Sequence, residues 1–317
     1  VACYLDGHDA ARAVPVLERF LKLDNPAERA GEAWSRLAEA QSALHNEAAS
    51  EAAYKKATQF PGRGAAPARL QLAVGAIARG DYAVAEGFLE ENVDHANKDV
   101  DEETARRSLF ALGDVHLQRR SLQNAILRLE QAMHEYPKSI EMNQARYQLA
   151  ECFRLQAEEA FQGSKAAKLP ESREFYLKQH REYLEKAANK YQELADDLGA
   201  RSRGQSLTKE EEEVYWIAAF NSAHGCYLLG QYEKACKLFE GLAARFHDRL
   251  ESLDALAWVA RCWLAKSDSA KGMEAVKRLE TALRELDDAK FSKEPGAVDR
   301  KKWEAWVKEA YKTMGQP

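Results

Sequence analysis

Small residues recur along this chain at a nearly constant interval, at places where two helices would have to touch. Successive members of the series are 35, 40, 37, 73 and 37 residues apart, so the fourth interval spans two units. The series is Ala38, Ala73, Gly113, Ala150, Ala223 and Ala260. A period of about 34 residues is typical of helix-turn-helix units that bury their apolar faces only against their neighbours. The spacing therefore predicts a helical solenoid without one central core.

The spacing within each unit is as regular as the spacing between units. In three units a second small residue follows the first after 12 residues: Ala73 and Ala85, Gly113 and Ala125, Ala223 and Ala235. Small side chains at both places let two antiparallel helices approach closely. The tripeptides Gly80-Asp81-Tyr82 and Gly230-Gln231-Tyr232 fall between them, and glycine there predicts the end of the first helix.

These units resemble the tetratricopeptide repeat (TPR) family. The resemblance rests on Trp34, Leu37, Ala38, Tyr54, Ala57 and Pro61, on the segment from Leu109 to Pro137, and on Gly230, Tyr232, Ala235 and Phe239. Two departures put local packing in doubt: Asn92 replaces the usual small residue, and the last turn, around Ser267-Asp268-Ser269, is predicted to be three residues longer. The resemblance implies an all-α, right-handed TPR superhelix, an α-solenoid of about six to seven helix pairs with a C-terminal capping helix.

The repeat frame predicts one TPR solenoid over residues 1–317. Its expected parts are a partial or atypical N-terminal repeat at 1–28, repeats at 31–62, 66–97, 105–138, 210–247 and 252–288, a repeat with a long insertion at 142–198, a flexible loop at 199–209, and a capping helix at 298–313. Because the chain starts with Val1 and its first pattern reads as the second helix of a repeat, we expect it to be processed or truncated.

The unit after Ala150 departs from the others. Its first helix is expected to run past Phe161 and to break at Gly163-Ser164 and Pro170. A long helix then resumes, with a seam of apolar residues every seven positions: Leu177, Leu184, Tyr191 and Leu198. Two readings of the insertion, which spans about 156–209, stay open: a structurally idle insertion, or an arm for a partner or a dimer.

Charge and motifs narrow the classes of function. The chain has 46 Lys and Arg against 51 Asp and Glu, and a net charge of -5 argues against general affinity for nucleic acid. It has no Gly-rich phosphate loop, no HExxH and no GxSxG motif, so we expect neither an enzyme nor a cofactor or metal site.

The cysteines and the apolar runs predict little chemistry. The five cysteines lack metal-ligand spacing, although Cys226 and Cys236 straddle a predicted turn where a disulfide is geometrically feasible. The longest apolar run, from Val214 to Phe220, is too short to cross a bilayer, so we expect no membrane span within the chain.

The TPR resemblance also implies where a partner would bind, because first helices line the concave face in that family. The matching positions predict a partner-binding set of Phe110, Asp114, Leu117, Tyr147, Glu151, Arg154, Phe220, His224, Tyr227, Arg261 and Leu264. Aromatic side chains ringed by mixed charge suit the anchoring of a peptide. The Lys and Asn pairs of TPR clamps that bind chaperone tails are absent, so a chaperone C-terminus is not the expected ligand.

The expected function is a non-enzymatic protein-protein interaction scaffold or adaptor that binds a peptide or protein partner along the concave face. The alternatives are a helical-repeat RNA-binding protein and a homo-oligomeric assembly component that uses insertion residues 162–206. The RNA alternative lacks a recurring polar code on the first helices.

A narrower likeness lies at one repeat junction. Residues 136–139, Tyr-Pro-Lys-Ser, and residues 145–151 are similar to bacterial cell-envelope TPR proteins that serve outer-membrane assembly and the Tol-Pal system. The likeness implies a periplasmic or cell-envelope location rather than a cytoplasmic one.

Overall fold

Every regular element is an α-helix in the residues that the structure, a computed structural model, describes: 9–23, 25–94, 100–293 and 299–315. The helices are α1 (Ala10–Leu21), α2 (Ala27–Ala43), α3 (Glu47–Ala57), α4 (Ala65–Ala78), α5 (Tyr82–Val93), α6 (Glu102–Gln118), α7 (Leu122–Glu135), α8 (Met142–Ala166), α9 (Pro170–Arg201), α10 (Lys209–Leu228), α11 (Tyr232–Arg245), α12 (Glu251–Ala265), α13 (Ser269–Glu285), α14 (Asp288–Lys293) and α15 (Arg300–Gly315). The predicted all-α helical repeat is confirmed.

The chain divides into two compact units, Val1–Gln148 and Leu149–Pro317. In the first unit α1 packs on α2, and three helix pairs follow: α2 with α3, α4 with α5, and α6 with α7. In the second unit α9 packs on α10, the pairs α10 with α11 and α12 with α13 follow, and α15 packs on α13. The predicted capping segment 298–313 thus contains α15, whose Trp303 is buried. A single solenoid over 1–317 stays a prediction.

The same turn closes five of these helix pairs. Its second residue has a positive φ of 58° to 78° and lies seven residues after the small residue of the repeat: His45, Gly80, Arg120, Gly230 and Ser267. The N–H of the residue after it donates to the carbonyl five residues back, at 2.8–2.9 Å in all five turns. These are the bonds of the Schellman motif, which satisfies the last carbonyls of a helix. The sequence period is therefore repeated in the backbone.

The expectation of a longer last turn is wrong. The segment between α12 and α13 has the same length and the same left-handed residue, Ser267, as the other four turns. Gly272 takes the place 12 residues after Ala260, and a Cβ there would lie 3.6 Å from the carbonyl oxygen of Ala260. A close helix approach is thus preserved, one turn of helix earlier than the alanine spacing suggested.

Asn92 fills its core position with hydrogen bonds instead of a small side chain. It is 2% exposed, and its amide donates to the Ala66 carbonyl at 2.9 Å and to Ser108 Oγ at 3.0 Å. Its carbonyl oxygen accepts from Arg69 Nε at 2.8 Å. A buried amide with three partners avoids the cost of unsatisfied polar atoms, so the packing that the sequence put in doubt is intact.

The helices around the insertion differ from the expectation at both ends. Helix α8 continues through Gly163-Ser164 to Ala166, and Pro170 is the first residue of α9, where its missing N–H costs nothing. Helix α9 also runs through 199–201, so the connection to α10 is 202–208 rather than the predicted loop 199–209.

The C-terminal half of α9 is part of the core of the second unit. Its buried residues all fall on one side of the helix: Leu184, Ala187, Ala188, Tyr191, Leu194, Ala195 and Leu198. They pack against α10. The reading of the whole insertion as structurally idle is therefore wrong for this half, which is the second helix of its repeat.

Gly230 and Gly241 provide a matched test of the turn. A Cβ added to either glycine meets no atom within 4 Å, but Gly230 has a φ of +78° whereas Gly241 lies inside α11. We expect Gly230→Ala to lower the free energy of unfolding by about 1 kcal/mol, because L residues disfavour the left-handed region. Gly241→Ala should raise it by about 0.5–1 kcal/mol through helix propensity. Urea unfolding followed by circular dichroism measures both, and stabilisation by both would contradict the turn.

Candidate functional site

In the first unit a shallow cleft of about 360 Å³ lies among the first helices α4 and α6 and the start of α8. It is lined by Leu70, Val74, Arg107, Phe110, Ala111, Asp114, Glu141, Gln144, Ala145 and Gln148. Phe110 is only 6% exposed, so its ring is part of the core beneath the cleft and the expectation of a free anchor there is wrong. Asp114 accepts a hydrogen bond from Gln148 Nε2 at 2.7 Å, which joins α6 to α8. Leu117 and Tyr147 are half-buried.

In the second unit four predicted residues surround a tryptophan that the sequence prediction missed. The Trp258 patch consists of Trp258 with Phe220, His224, Tyr227 and Arg261. The ring centroid of Trp258 lies 6.5 Å from that of Phe220, 4.7 Å from that of His224 and 5.0 Å from that of Tyr227. The guanidinium of Arg261 lies over the indole, 4.6 Å from its centroid. Trp258 precedes Arg261 by three residues, which places both on one face of α12, and this spacing was the available signal.

The patch has a base in the core and an accessible rim. The rings of Phe220 and Trp258 pack on Phe239, which is fully buried, at centroid distances of 5.3 and 5.7 Å. Tyr227 is half-buried and Arg261 is exposed, while the predicted residue Leu264, one turn beyond on α12, is 37% exposed. Phe220 therefore contributes to stability, and the side chains available to a partner are those of the rim.

Charges near the patch are partly neutralised within the chain. Glu151 binds the Arg154 guanidinium through contacts of 2.8 and 3.1 Å, and it also accepts a hydrogen bond from the Tyr191 hydroxyl. The hydrogen bond from Glu151 raises the pKa of Arg154. Arg261, by contrast, has no carboxylate within 4.0 Å among the described residues, so its charge is available to a partner. Burial, helped by Arg261 and Arg154, lowers the pKa of His224, which keeps its imidazole neutral at pH 7.

A deeper cleft adjoins the patch. This α8–α10 cleft has a volume of about 490 Å³ and is walled by α8, α9 and α10. Its lining is Arg154, Ala157, Glu158, Phe161, His180, Leu184, Ala187, Ala188, Tyr191, Asn221, His224, Gly225 and Leu228. The Nδ1 atom of His180 is 2.8 Å from the Ala157 carbonyl, a contact that fixes the ring against α8. Because His224 belongs to both the cleft and the Trp258 patch, the two form one continuous surface.

The described cysteines do not offer reactive thiolates. Cys152, Cys226, Cys236 and Cys262 are buried free thiols, so the feasible bond between Cys226 and Cys236 is not formed. Burial raises the pKa of the Cys152 and Cys262 thiols to about 12 and that of Cys236 to about 11. Among the described helices, none is both long and apolar enough to cross a bilayer.

Comparisons with known proteins reach the fold and no further. No protein-family model matches the chain, and no curated protein matches it. A solved tetratricopeptide repeat protein from Parabacteroides merdae is 12% identical with a TM-score of 0.44, covering 99% of this chain and 95% of that chain. TTC0263, a TPR protein of Thermus thermophilus, is 16% identical with a TM-score of 0.34, covering 77% and 98%. A monomeric IFIT1 mutant with Gppp-AAAA is 17% identical with a TM-score of 0.43, covering 97% and 64%.

At these scores the similarities carry no argument about function. The class of this protein follows instead from its own helix pairs and their repeated turn: it is a helical-repeat protein of the tetratricopeptide type.

Gly225 tests whether α9 is essential to the second unit. A Cβ at Gly225 would lie 2.8 Å from the Cβ of Ala188 on α9. We expect Gly225→Ala to lower the free energy of unfolding, since overpacking costs about 1–3 kcal/mol, while Gly241→Ala serves as the control without a close neighbour. A double-mutant cycle with Ala188→Gly should give a coupling of about 1 kcal/mol. A stabilising Gly225→Ala without coupling to residue 188 would contradict the contact.

Proposed function

We propose that this protein is a non-enzymatic interaction scaffold that binds a peptide or protein segment on the first-helix face of its second unit. The observation that carries the proposal is the Trp258 patch and its continuity, through His224, with the α8–α10 cleft. Tryptophan, tyrosine and arginine are the residue types that most often dominate binding energy at protein interfaces. Here they stand together on adjacent helices, beside a concave site with apolar walls.

The charges and the lining favour a partner with an apolar side chain next to an acidic one. The cleft offers Phe161, Leu184 and Leu228 as apolar contacts, and Leu228 is 52% exposed. Arg261 stacks on Trp258 and can donate two parallel hydrogen bonds to a carboxylate. We infer that an apolar anchor enters the cleft while a carboxylate of the same segment pairs with Arg261.

The other expectations stand as proposals of lower rank. RNA binding is disfavoured by the net charge of -5. Self-association through the insertion is supported by Leu169 and Phe175, which are 64% and 57% exposed, although the structure does not identify what would cover them. The absence of catalysis and a cell-envelope location likewise stay predictions.

A selected peptide tests the site. Peptides chosen from a random library on the full chain, with their affinity measured by fluorescence anisotropy, should be rich in acidic and apolar residues. Arg261→Glu should weaken their binding by about tenfold or more, because it removes a charge-assisted bond and adds repulsion. Tyr227→Ala should weaken it to a similar degree through lost aromatic contact area.

Lys277→Glu is the matched control for Arg261→Glu. It reverses one exposed positive charge on α13, a second helix, and should leave the affinity unchanged. Phe220→Ala is not a suitable probe, since its contact with Phe239 predicts a loss of stability. Equal binding by Arg261→Glu and Lys277→Glu would contradict the proposed surface, and a labelled RNA that competes for the Arg261 site would favour the RNA alternative.

A further inference from the structure

Three potential metal ligands meet between α5 and α6 in the first unit. Glu86, Glu90 and His116 each direct one ligand atom to a common place, where these atoms all lie within 4.8 Å of one another. Glu86 and Glu90 are four residues apart on α5, so both project from the same face of that helix. His116 comes from α6, the first helix of the next repeat. The cluster thus joins two repeats.

The histidine of this cluster has an unpartnered buried nitrogen. The His116 side chain is 3% exposed, and its Nδ1 atom has no hydrogen-bond partner, although Glu86 Oε1 lies 3.6 Å away. A buried polar atom without a partner costs free energy, so its presence requires a physical reason. Two other repeats place a buried small side chain, Ala76 and Cys226, at the corresponding position three residues after the conserved spacing of small residues. An imidazole here replaces core packing with a ligand atom.

The surrounding charges leave the ligand atoms free to bind a cation. Arg119 pairs with Oε2 of Glu86, which leaves Oε1 on the side of His116. Burial and the positive charge of Arg128 lower the pKa of His116, so the imidazole is neutral at pH 7 and keeps a lone pair. Glu90 is exposed and provides the route of entry. The two arginines weaken the negative potential, so we expect lower affinity than at a structural zinc site with four ligands.

We propose that Glu86, Glu90 and His116 bind a divalent transition-metal ion, with Zn²⁺ as the best fit to one imidazole and two carboxylates. Tetrahedral ligands at about 2.0–2.1 Å from zinc lie roughly 3.4 Å apart, so side-chain adjustments of the order of 1 Å would close the site. Water completes the coordination, since three protein ligands leave a position open. The bound ion would link α5 to α6 and so stabilise the junction between two repeats.

Calorimetric titration of the metal-free full chain with Zn²⁺ tests the site. We expect saturable binding of about one ion per chain, a higher melting temperature with Zn²⁺, and both effects weakened by about tenfold or more in Glu90→Gln. Glu90 is exposed, so this variant leaves the fold intact. Glu130→Gln, which removes an exposed carboxylate from α7, is the control and should bind as the wild type does. Absence of saturable binding, or unchanged affinity in Glu90→Gln, would overturn the proposal.

Cobalt substitution identifies the ligands. Co²⁺ at the proposed site has only nitrogen and oxygen donors, so its spectrum should show weak visible bands without thiolate charge-transfer absorption. His116→Gln should abolish these bands, while His134→Gln on α7 should keep them. Strong thiolate absorption would place the ion on the cysteines and overturn the assignment. Because neither measurement uses a peptide partner, failure here would be distinguishable from failure of the proposed function.

Discussion

The close approach of paired helices, closed by one type of turn, is the constraint on which the rest of the structure depends. The turn keeps its left-handed residue and its hydrogen bonds even where that residue is His45, Arg120 or Ser267 instead of glycine. An L residue there costs roughly 1–2 kcal/mol, so packing between the paired helices must outweigh local preference. The turn therefore fixes the register of each pair, and with it the face that each side chain occupies.

That register turns a sequence position into a place on the surface. Phe110 and Phe220 both lie three residues before the small residue of their repeats, and both are held by the core. One position after the small residue come Asp114, His224 and Arg261, which lie at the surface of the first helices. Residues of the same register thus share exposure but differ in chemistry. The binding character of each unit is decided by the side chains that it places there.

The elements predicted from the sequence are those that depend on local spacing. Glycine at Gly80 and Gly230 identifies the turns, because it is the residue that most readily adopts their φ. The expected break at Gly163-Ser164 was wrong for a tertiary reason: a Cβ at Gly163 would lie 2.9 Å from the ring of Tyr176, so glycine permits a helix contact there. Trp258 was missed because no other repeat has an aromatic residue two places before its small residue. Its role depends on contacts with α10 and α11 that no local pattern encodes.

Two buried polar residues near the same repeat junction show how differently the fold can treat such groups. Asn92 replaces a small residue and satisfies its amide through Arg69, Ala66 and Ser108. His116 also occupies a core position, but its Nδ1 atom is left without a donor or acceptor at hydrogen-bond distance. A fold that provides three bonds for one buried side chain has the means to satisfy another. The unpartnered nitrogen, with two carboxylates facing it, is thus better explained as a ligand for an ion than as a defect of packing.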